Sequence, residues 1–127
     1  MSDLQTPLAR ARGLGSAKEG VTHWWRQRLT GVLMLPLVFI LTLGLASLPG
    51  AGHAEFVGWV AAPFNTVCLV LFIGGVFYHA QLGLQVIIED YVSNHATRTV
   101  AIVVTGLLCL VFAVSGIVAV LKISLGA

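Results

Sequence analysis

The sequence predicts an all-α membrane protein with three transmembrane helices. Of its 127 residues, 57% are hydrophobic and only 9% are charged, and the mean hydropathy is +0.95. These values lie outside the range of soluble globular domains. The chain also contains three apolar runs, each about as long as the 20 to 25 residues that cross a bilayer as a helix. We therefore expect one membrane domain and no separate catalytic domain.

The polar segment before the first apolar run, residues 1–28, indicates how the chain is oriented. It contains no apolar stretch near its start of the kind found in signal peptides. Cytoplasmic segments of membrane proteins are enriched in Lys and Arg, so we predict a cytoplasmic N-terminus and interpret the net charge of +2 as a topology signal, not as nucleic-acid binding. Five of the seven basic residues lie in this segment: Arg10, Arg12, Lys18, Arg26 and Arg28.

The transmembrane domain is predicted over residues 29–127, and its first span covers about residues 29–48. This span has no charged residue and contains Pro36, a residue type that transmembrane helices tolerate. The connection that follows, 51–60, contains no Lys or Arg and carries Trp59 near its end. Aromatic residues of this kind anchor chains at membrane interfaces, so we predict a loop on the outer side.

The second predicted span, 64–88, begins after Pro63, which suits a first helical position because the missing N–H would have no partner there. A polar turn at 89–99 leads to the third predicted span, 100–121. Arg98 in this turn agrees with a cytoplasmic location. Three spans then place the C-terminus on the outer side.

Small residues in the third span recur at steps of three, four and three, which predicts a surface for close helix packing. They are Gly106, Cys109, Ala113 and Gly116. Cys68 and Cys109 both lie inside apolar runs and show no metal-binding spacing, so we predict neither a disulfide nor a cluster.

The second span carries the residues best suited to chemistry. An ionisable residue inside a bilayer is costly and marks a functional site by default, and the neutral imidazole of His79 is a common ligand of haem iron. At about 100° per residue, Asp90 shares a helix face with His79, about 16 Å away. Gly75 and Gly83 lie on that face and would leave a flat shelf for a planar ligand. The alternative is a buried histidine that hydrogen-bonds a carbonyl.

The other three histidines lie outside the predicted spans. His23 precedes the first span, His53 lies in the outer connection and His95 in the inner turn, so none reaches mid-membrane opposite His79. A six-coordinate haem would need its second axial ligand from another chain. This predicts a hetero-subunit interface with haem between the partners.

Asp90 and Tyr91 end the second span at the cytoplasmic interface. A phenol O–H can donate to a quinone carbonyl oxygen, and a nearby carboxylate can order water and deliver protons as the quinone is reduced. The alternative is an interfacial aromatic residue beside a solvated carboxylate. The deep His79 on the same helix favours the quinone site.

Three polar residues just before the first span, His23, Arg26 and Arg28, lie at the same cytoplasmic level. Haem carries two propionates, and Arg offers a bidentate fork for a carboxylate. The alternative is that these residues are positive-inside anchors, with Trp24 and Trp25 in the interfacial belt.

The residues His79, Gly83, Asp90 and Tyr91, in the second of three spans, resemble the pattern of one of the two membrane anchors of bacterial succinate dehydrogenase (complex II), its hydrophobic membrane anchor subunit. The sister anchor of that complex has an Arg-His pair where this chain has Leu84-Gln85. The chain is therefore more similar to the hydrophobic membrane anchor than to its sister.

The start of the first span extends the resemblance. Residues 20–23, Gly-Val-Thr-His, and 28–30, Arg-Leu-Thr, look like the Gly-x-His and Arg-x-Thr stretches of the family. His23 lies one residue closer to Arg28 than in the family pattern.

The resemblance implies a role for each of these residues. His79 would be one axial ligand of haem b, Tyr91 would hydrogen-bond ubiquinone, and Asp90 would support that quinone site. Arg28 and His23 would contact the haem propionates.

The resemblance also implies an assembly in the bacterial inner membrane, with a periplasmic C-terminus. The sister anchor would complete a heterodimeric helix bundle with this chain and share its haem b. An iron–sulfur subunit, together with a flavoprotein that holds covalent FAD, would carry the remaining cofactors. This chain has no cysteine set for a cluster and no Gly-rich dinucleotide fingerprint.

Two other functions remain open from the sequence. One is a haem-free structural anchor of a related respiratory complex, in which hydrogen bonds satisfy His79. The other is a small proton-coupled transporter subunit, in which His79 and Asp90 form a proton path.

Overall fold

The computed structural model describes residues 6–12 and 18–126. Within these residues all regular structure is helical, in five helices: α1 (Pro7–Ala11), α2 (Lys18–Ala46), α3 (His53–Ala61), α4 (Pro63–Tyr91) and α5 (His95–Leu125). Residues 1–5 and 13–17 of the predicted N-terminal segment lie outside the described residues.

In the described part of the chain, three helices are long and apolar enough to cross a membrane: residues Gly20–Ala46 of α2, all of α4 and all of α5. The predicted all-α fold with three spans is therefore confirmed. Each helix is longer than the span predicted from hydropathy. Helix α2, for example, begins at Lys18, because the Glu, Arg and Gln residues before the apolar run are good helix formers that extend the helix beyond that run.

The prediction of a loop over 51–60 is wrong, because His53–Ala61 form helix α3. The backbone N–H of Gly52 donates to a carboxylate oxygen of Glu55 at 2.9 Å. This hydrogen bond gives a partner to a backbone N–H that would otherwise be unpaired at the start of the short helix. Ala62 then has an extended conformation, with ψ 127°. Because the residue before a proline avoids the helical region, Ala62 separates α3 from α4, which starts at Pro63 as predicted.

The predicted polar turn at 89–99 is shorter in the structure. Helix α4 continues to Tyr91, and α5 begins at His95. The side chain of Asn94 caps α5 by accepting a hydrogen bond from the backbone N–H of Thr97 at 3.1 Å. Only residues 92–94 remain outside the two helices, so α4 and α5 form a tight helical hairpin.

Helix α4 is the centre of the arrangement, since both α2 and α5 pack against it, and α3 packs against α4 and α5. The predicted small-residue stripe of α5 faces α4. A Cβ atom added at Gly116 would lie 3.1 Å from Cγ2 of Ile73, and one at Gly106 would lie 3.7 Å from Nε2 of Gln81. The stripe therefore brings the two helices close together, as predicted.

Most large apolar side chains of the described chain point outward. The buried hydrophobic residues within it are few: Leu41, Val60, Cys68, Leu82 and Val120. An outer surface of this kind suits contact with lipid and with other membrane helices, and a compact hydrophobic core is not needed to hold the helices in place.

Candidate functional site

His79 lies in the C-terminal half of α4, and its half-buried imidazole faces α2. Its Nδ1 atom is 2.9 Å from the hydroxyl oxygen of Thr30, and its Nε2 atom is 3.2 Å from the side-chain nitrogen of Gln27. Opposite the ring lies Gly31, where an added Cβ would come within 3.3 Å of Cε1. A short stretch of α2 thus encloses both nitrogens of the imidazole.

The hydrogen bonds around His79 assign its tautomer. The hydroxyl of Thr30 donates to the carbonyl of Arg26 at 2.8 Å, so its oxygen is left to accept from Nδ1–H of His79. The lone pair is then on Nε2, which accepts from the amide of Gln27. The hydrogen bond at Nδ1 thus leaves the lone pair on Nε2. A histidine nitrogen with its lone pair set in this way is of the kind that coordinates a metal.

The shelf predicted beside His79 is present but covered. A Cβ at Gly75 would lie 3.6 Å from Cγ of Met34, and a Cβ at Gly83 would lie 3.3 Å from Nε2 of Gln27. Because glycines let helices approach closely, α2 itself lies on the face that the sequence suggested for a planar ligand.

Asp90 and Tyr91 occupy the last turn of α4, and both are exposed. The side chain of Tyr91 is 85% exposed. The structure does not bring either residue to His79, whose imidazole is enclosed by α2. Their polar atoms are accessible to a ligand or partner at the end of the helix.

A cavity of about 530 Å³ lies between the first turns of α2 and the C-terminal half of α4. Among the residues that line it are His23, Arg26, Tyr78, Gln81, Gln85 and Glu89. The sequence interpretation missed the four α4 residues. Their recurrence every three to four positions, as a polar stripe in an apolar helix, is the signal that would have found them.

Two buried polar atoms of α2 have no hydrogen-bond partner among the described residues: Nε2 of His23, which lines this cavity, and Oε1 of Gln27, whose side chain lies beside His79. Nearby, the amide of Gln85 donates to Glu89 at 2.8 Å. Buried polar atoms are rarely left unpaired in proteins. Both unpaired atoms belong to α2, the helix that also contacts His79, so this part of α2 is suited to receive a further polar group.

The two arginines near His23 point in different directions. Arg26 lines the cavity together with His23. The guanidinium of Arg28 instead lies over the ring of Trp24, 4.9 Å from its centroid. Arg26, and not Arg28, is therefore the arginine that lines the cavity together with His23.

The fold and the site define a class of protein: a three-span helical membrane protein with a hydrogen-bonded histidine inside its central span. A sequence profile described as succinate dehydrogenase/fumarate reductase transmembrane subunit matches residues 2–119. The chain belongs to this family. No solved structure matches the chain significantly.

Relatives of similar length support this assignment. The succinate dehydrogenase hydrophobic membrane anchor subunit of Rickettsia conorii is 35% identical over 118 residues, which cover 92% of this chain and 94% of the relative. The protein of the same name from Paracoccus denitrificans is 27% identical over 122 residues, covering 96% and 94%. The resemblance to membrane anchor subunits is thereby confirmed.

Proposed function

We propose that this chain is a membrane anchor subunit of succinate dehydrogenase that ligates haem b through His79 and binds ubiquinone through Tyr91 and Asp90. The observation that carries the proposal is the hydrogen bond of 2.9 Å between Nδ1 of His79 and Thr30, which directs a lone pair onto Nε2 inside a membrane span. Membership of the succinate dehydrogenase/fumarate reductase family supports the wider assignment.

The residues around His79 fit a haem in their chemistry. His79 would provide a nitrogen ligand through Nε2, and the buried, unpaired Nε2 of His23, which lines the cavity, would be available to a further polar group. When bound, haem supplies one-electron transfer. Gln27 would have to turn away, because its amide now occupies the direction of the Nε2 lone pair.

For the haem propionates, the resemblance implies Arg28 and His23. The cavity geometry favours Arg26 over Arg28 as the partner of His23, because only Arg26 of the two lines the cavity. A guanidinium and an imidazole N–H can both donate to a carboxylate.

For the quinone, Tyr91 and Asp90 have complementary functions. The phenol of Tyr91 would donate to a quinone carbonyl oxygen, and Asp90 would order water and pass protons to the reduced quinone. Both side chains are exposed at the end of α4, which supports a site shared with another chain of the complex.

The apolar outer surface supports an assembly in the inner membrane with the sister anchor, next to the iron–sulfur subunit of the complex and its flavoprotein. Exposed aromatic and aliphatic residues cover α2, α4 and α5. The basic N-terminal segment and three spans support a cytoplasmic N-terminus and a periplasmic C-terminus.

A haem-free structural anchor is the second candidate. The observation that favours it is that both ring nitrogens of His79 already have hydrogen-bond partners within the chain. A proton-coupled transporter gains no support from the family assignment.

A reduced-minus-oxidised visible spectrum of the complex, purified through a tag on this chain, tests the proposal. A low-spin b-type haem signal together with a flavoprotein and an iron–sulfur subunit is the expected result. The same partner subunits without haem would favour the structural anchor. Purification without these partners would overturn the assignment to succinate dehydrogenase.

A further inference from the structure

Thr30 is the residue of α2 most closely associated with His79. Its hydroxyl oxygen lies 2.8 Å from the carbonyl of Arg26, 3.1 Å from the carbonyl of Gln27 and 2.9 Å from Nδ1 of His79. Both carbonyls belong to its own helix and can only accept. The single hydroxyl proton is therefore directed to the helix backbone, and the oxygen is free to accept from the imidazole.

We propose that Thr30 is the positioning residue of the haem ligand, which it holds with the proton on Nδ1 and the lone pair on Nε2. This inference rests on the proposed function, since it concerns the same histidine. A neutral imidazole has one N–H and one lone pair, so the partner at Nδ1 decides which nitrogen can ligate a metal. Among the described residues, His79 is the partner that the Thr30 hydroxyl contacts outside its own helix.

Gln27 has the complementary function on the other side of the ring. Its amide nitrogen is 3.2 Å from Nε2 of His79, and its carbonyl oxygen is buried without a partner in the described part of the chain. The side chain is thus held at one end only. Its displacement from Nε2 breaks one long hydrogen bond, while the shorter bond between Thr30 and Nδ1 is retained.

This asymmetry gives Thr30 and Gln27 opposite expected effects on haem. A hydrogen bond to the outer nitrogen of a metal-ligating histidine fixes the ring and raises its basicity, and its removal typically lowers metal affinity by about 10- to 100-fold. The amide of Gln27, by contrast, competes with the metal for Nε2. Loss of Thr30 should weaken haem binding, and loss of Gln27 should strengthen it.

The experiment uses the complete complex with its partner subunits, prepared from haem-deficient cells and titrated with haem. Thr30→Val, which keeps the shape but removes the hydroxyl, should lower haem affinity by about 10- to 100-fold. It should also raise the midpoint potential of the haem that remains, since a less basic imidazole stabilises ferric iron less. Thr30→Ser should restore both values.

A matched control is Thr105→Val in α5, where the hydroxyl donates to the carbonyl of Ala101 at 2.6 Å and lies on a different helix from Thr30. Haem affinity and midpoint potential should equal those of the wild type. Gln27→Ala should raise haem affinity, and this variant tests the proposal even where Thr30→Val does not assemble.

The outcomes separate this inference from the proposed function. A wild-type complex without haem, or a His79→Ala complex that keeps it, would overturn both. Haem lost in His79→Ala but bound with unchanged affinity and potential in Thr30→Val would overturn the role of Thr30 alone. A loss of haem in Gln27→Ala would likewise contradict it, because Gln27 would then support the ligand.

Discussion

Arg28 and Trp24 lie one turn apart on α2, and the guanidinium of Arg28 lies over the indole ring at 4.9 Å from its centroid. This cation–π contact holds Arg28 against its own helix. Arg26, two residues earlier, instead lines the cavity that contains His23. Two neighbouring arginines of equal charge thus have different surroundings.

The two arginines should respond differently to neutralisation. Arg26→Gln should release haem more readily and shift its midpoint potential, because a propionate in the cavity would lose its charged partner. Arg28→Gln should change both values less. Haem titration and a redox titration of the two purified complexes make the comparison, and a larger effect of Arg28→Gln would restore Arg28 as the propionate residue.

His79→Ala should remove haem while the subunits still assemble, since the variant loses the nitrogen that would ligate the iron but leaves α2 and α5 packed on α4. The measurement is the ratio of haem to flavin in the purified complex. His53→Ala is the control, because His53 is an exposed residue at the start of α3. Haem content and spectrum equal to the wild type would show that His79 is not the ligand.

Tyr91→Phe should lower succinate-to-quinone turnover and leave succinate oxidation by an artificial acceptor unchanged. The substitution keeps the aromatic ring at the interface and removes only the hydroxyl that would donate to the quinone. A tenfold or greater loss, about 1.4 kcal/mol, is the scale expected for a hydrogen bond made to the reacting group. Equal loss in both assays would instead indicate a role in assembly.

Gly116→Ala should destabilise the packing of α5 on α4. The added Cβ would lie 3.1 Å from Cγ2 of Ile73, and β-branched side chains have little freedom to turn in a helix. Overpacking of this kind costs about 1–3 kcal/mol. Thermal unfolding of the complex in detergent should show a lower Tm. For Gly74→Ala, whose nearest contact would be 4.0 Å away, the Tm should not fall.

Thr66→Val should destabilise the corner between α3 and α4. The buried hydroxyl of Thr66 donates to the carbonyl of Val60 at 2.8 Å, and the hydroxyl of Ser124 in α5 lies 3.1 Å away. A carbonyl left unpaired in this way costs about 1–3 kcal/mol. The same thermal assay checks it, with the exposed Thr99→Val as the matched control; an equal Tm for both variants would contradict the prediction.

The sequence predicted the three spans correctly because their signal is local. Apolar runs of the right length report the membrane-crossing segments directly. Helix α3 was missed because nine residues between two apolar runs carry too little periodicity to separate a short helix from a loop. The helix ends were also missed, since hydropathy marks the edge of the hydrocarbon and not the last hydrogen-bonded turn.

Part of the candidate site was also predicted, because the signal for those residues is local in the sequence. His79, Asp90 and Tyr91 stand out because polar residues are rare in an apolar span. The polar stripe that includes Gln81 and Gln85 could also have been recognised from the spacing of its residues. The grouping of Arg26 with His23 depends on how α2 is rotated about its axis. That rotation is set by contact with α4, which single-helix periodicity does not describe.

By itself, the sequence determined that this chain is a membrane-spanning helical protein, which residues are polar within its spans, and that its pattern resembles a membrane anchor subunit. Only the tertiary structure decided that Thr30 and Gln27 are the partners of His79, from 49 and 52 residues earlier in the chain. The physical reason is that a hydrogen bond requires atoms within about 3 Å. Such proximity depends on how two helices are positioned and rotated relative to each other. Here Gly31, Gly75 and Gly83 allow α2 to pack closely against α4, and this contact sets the relative position of the two helices.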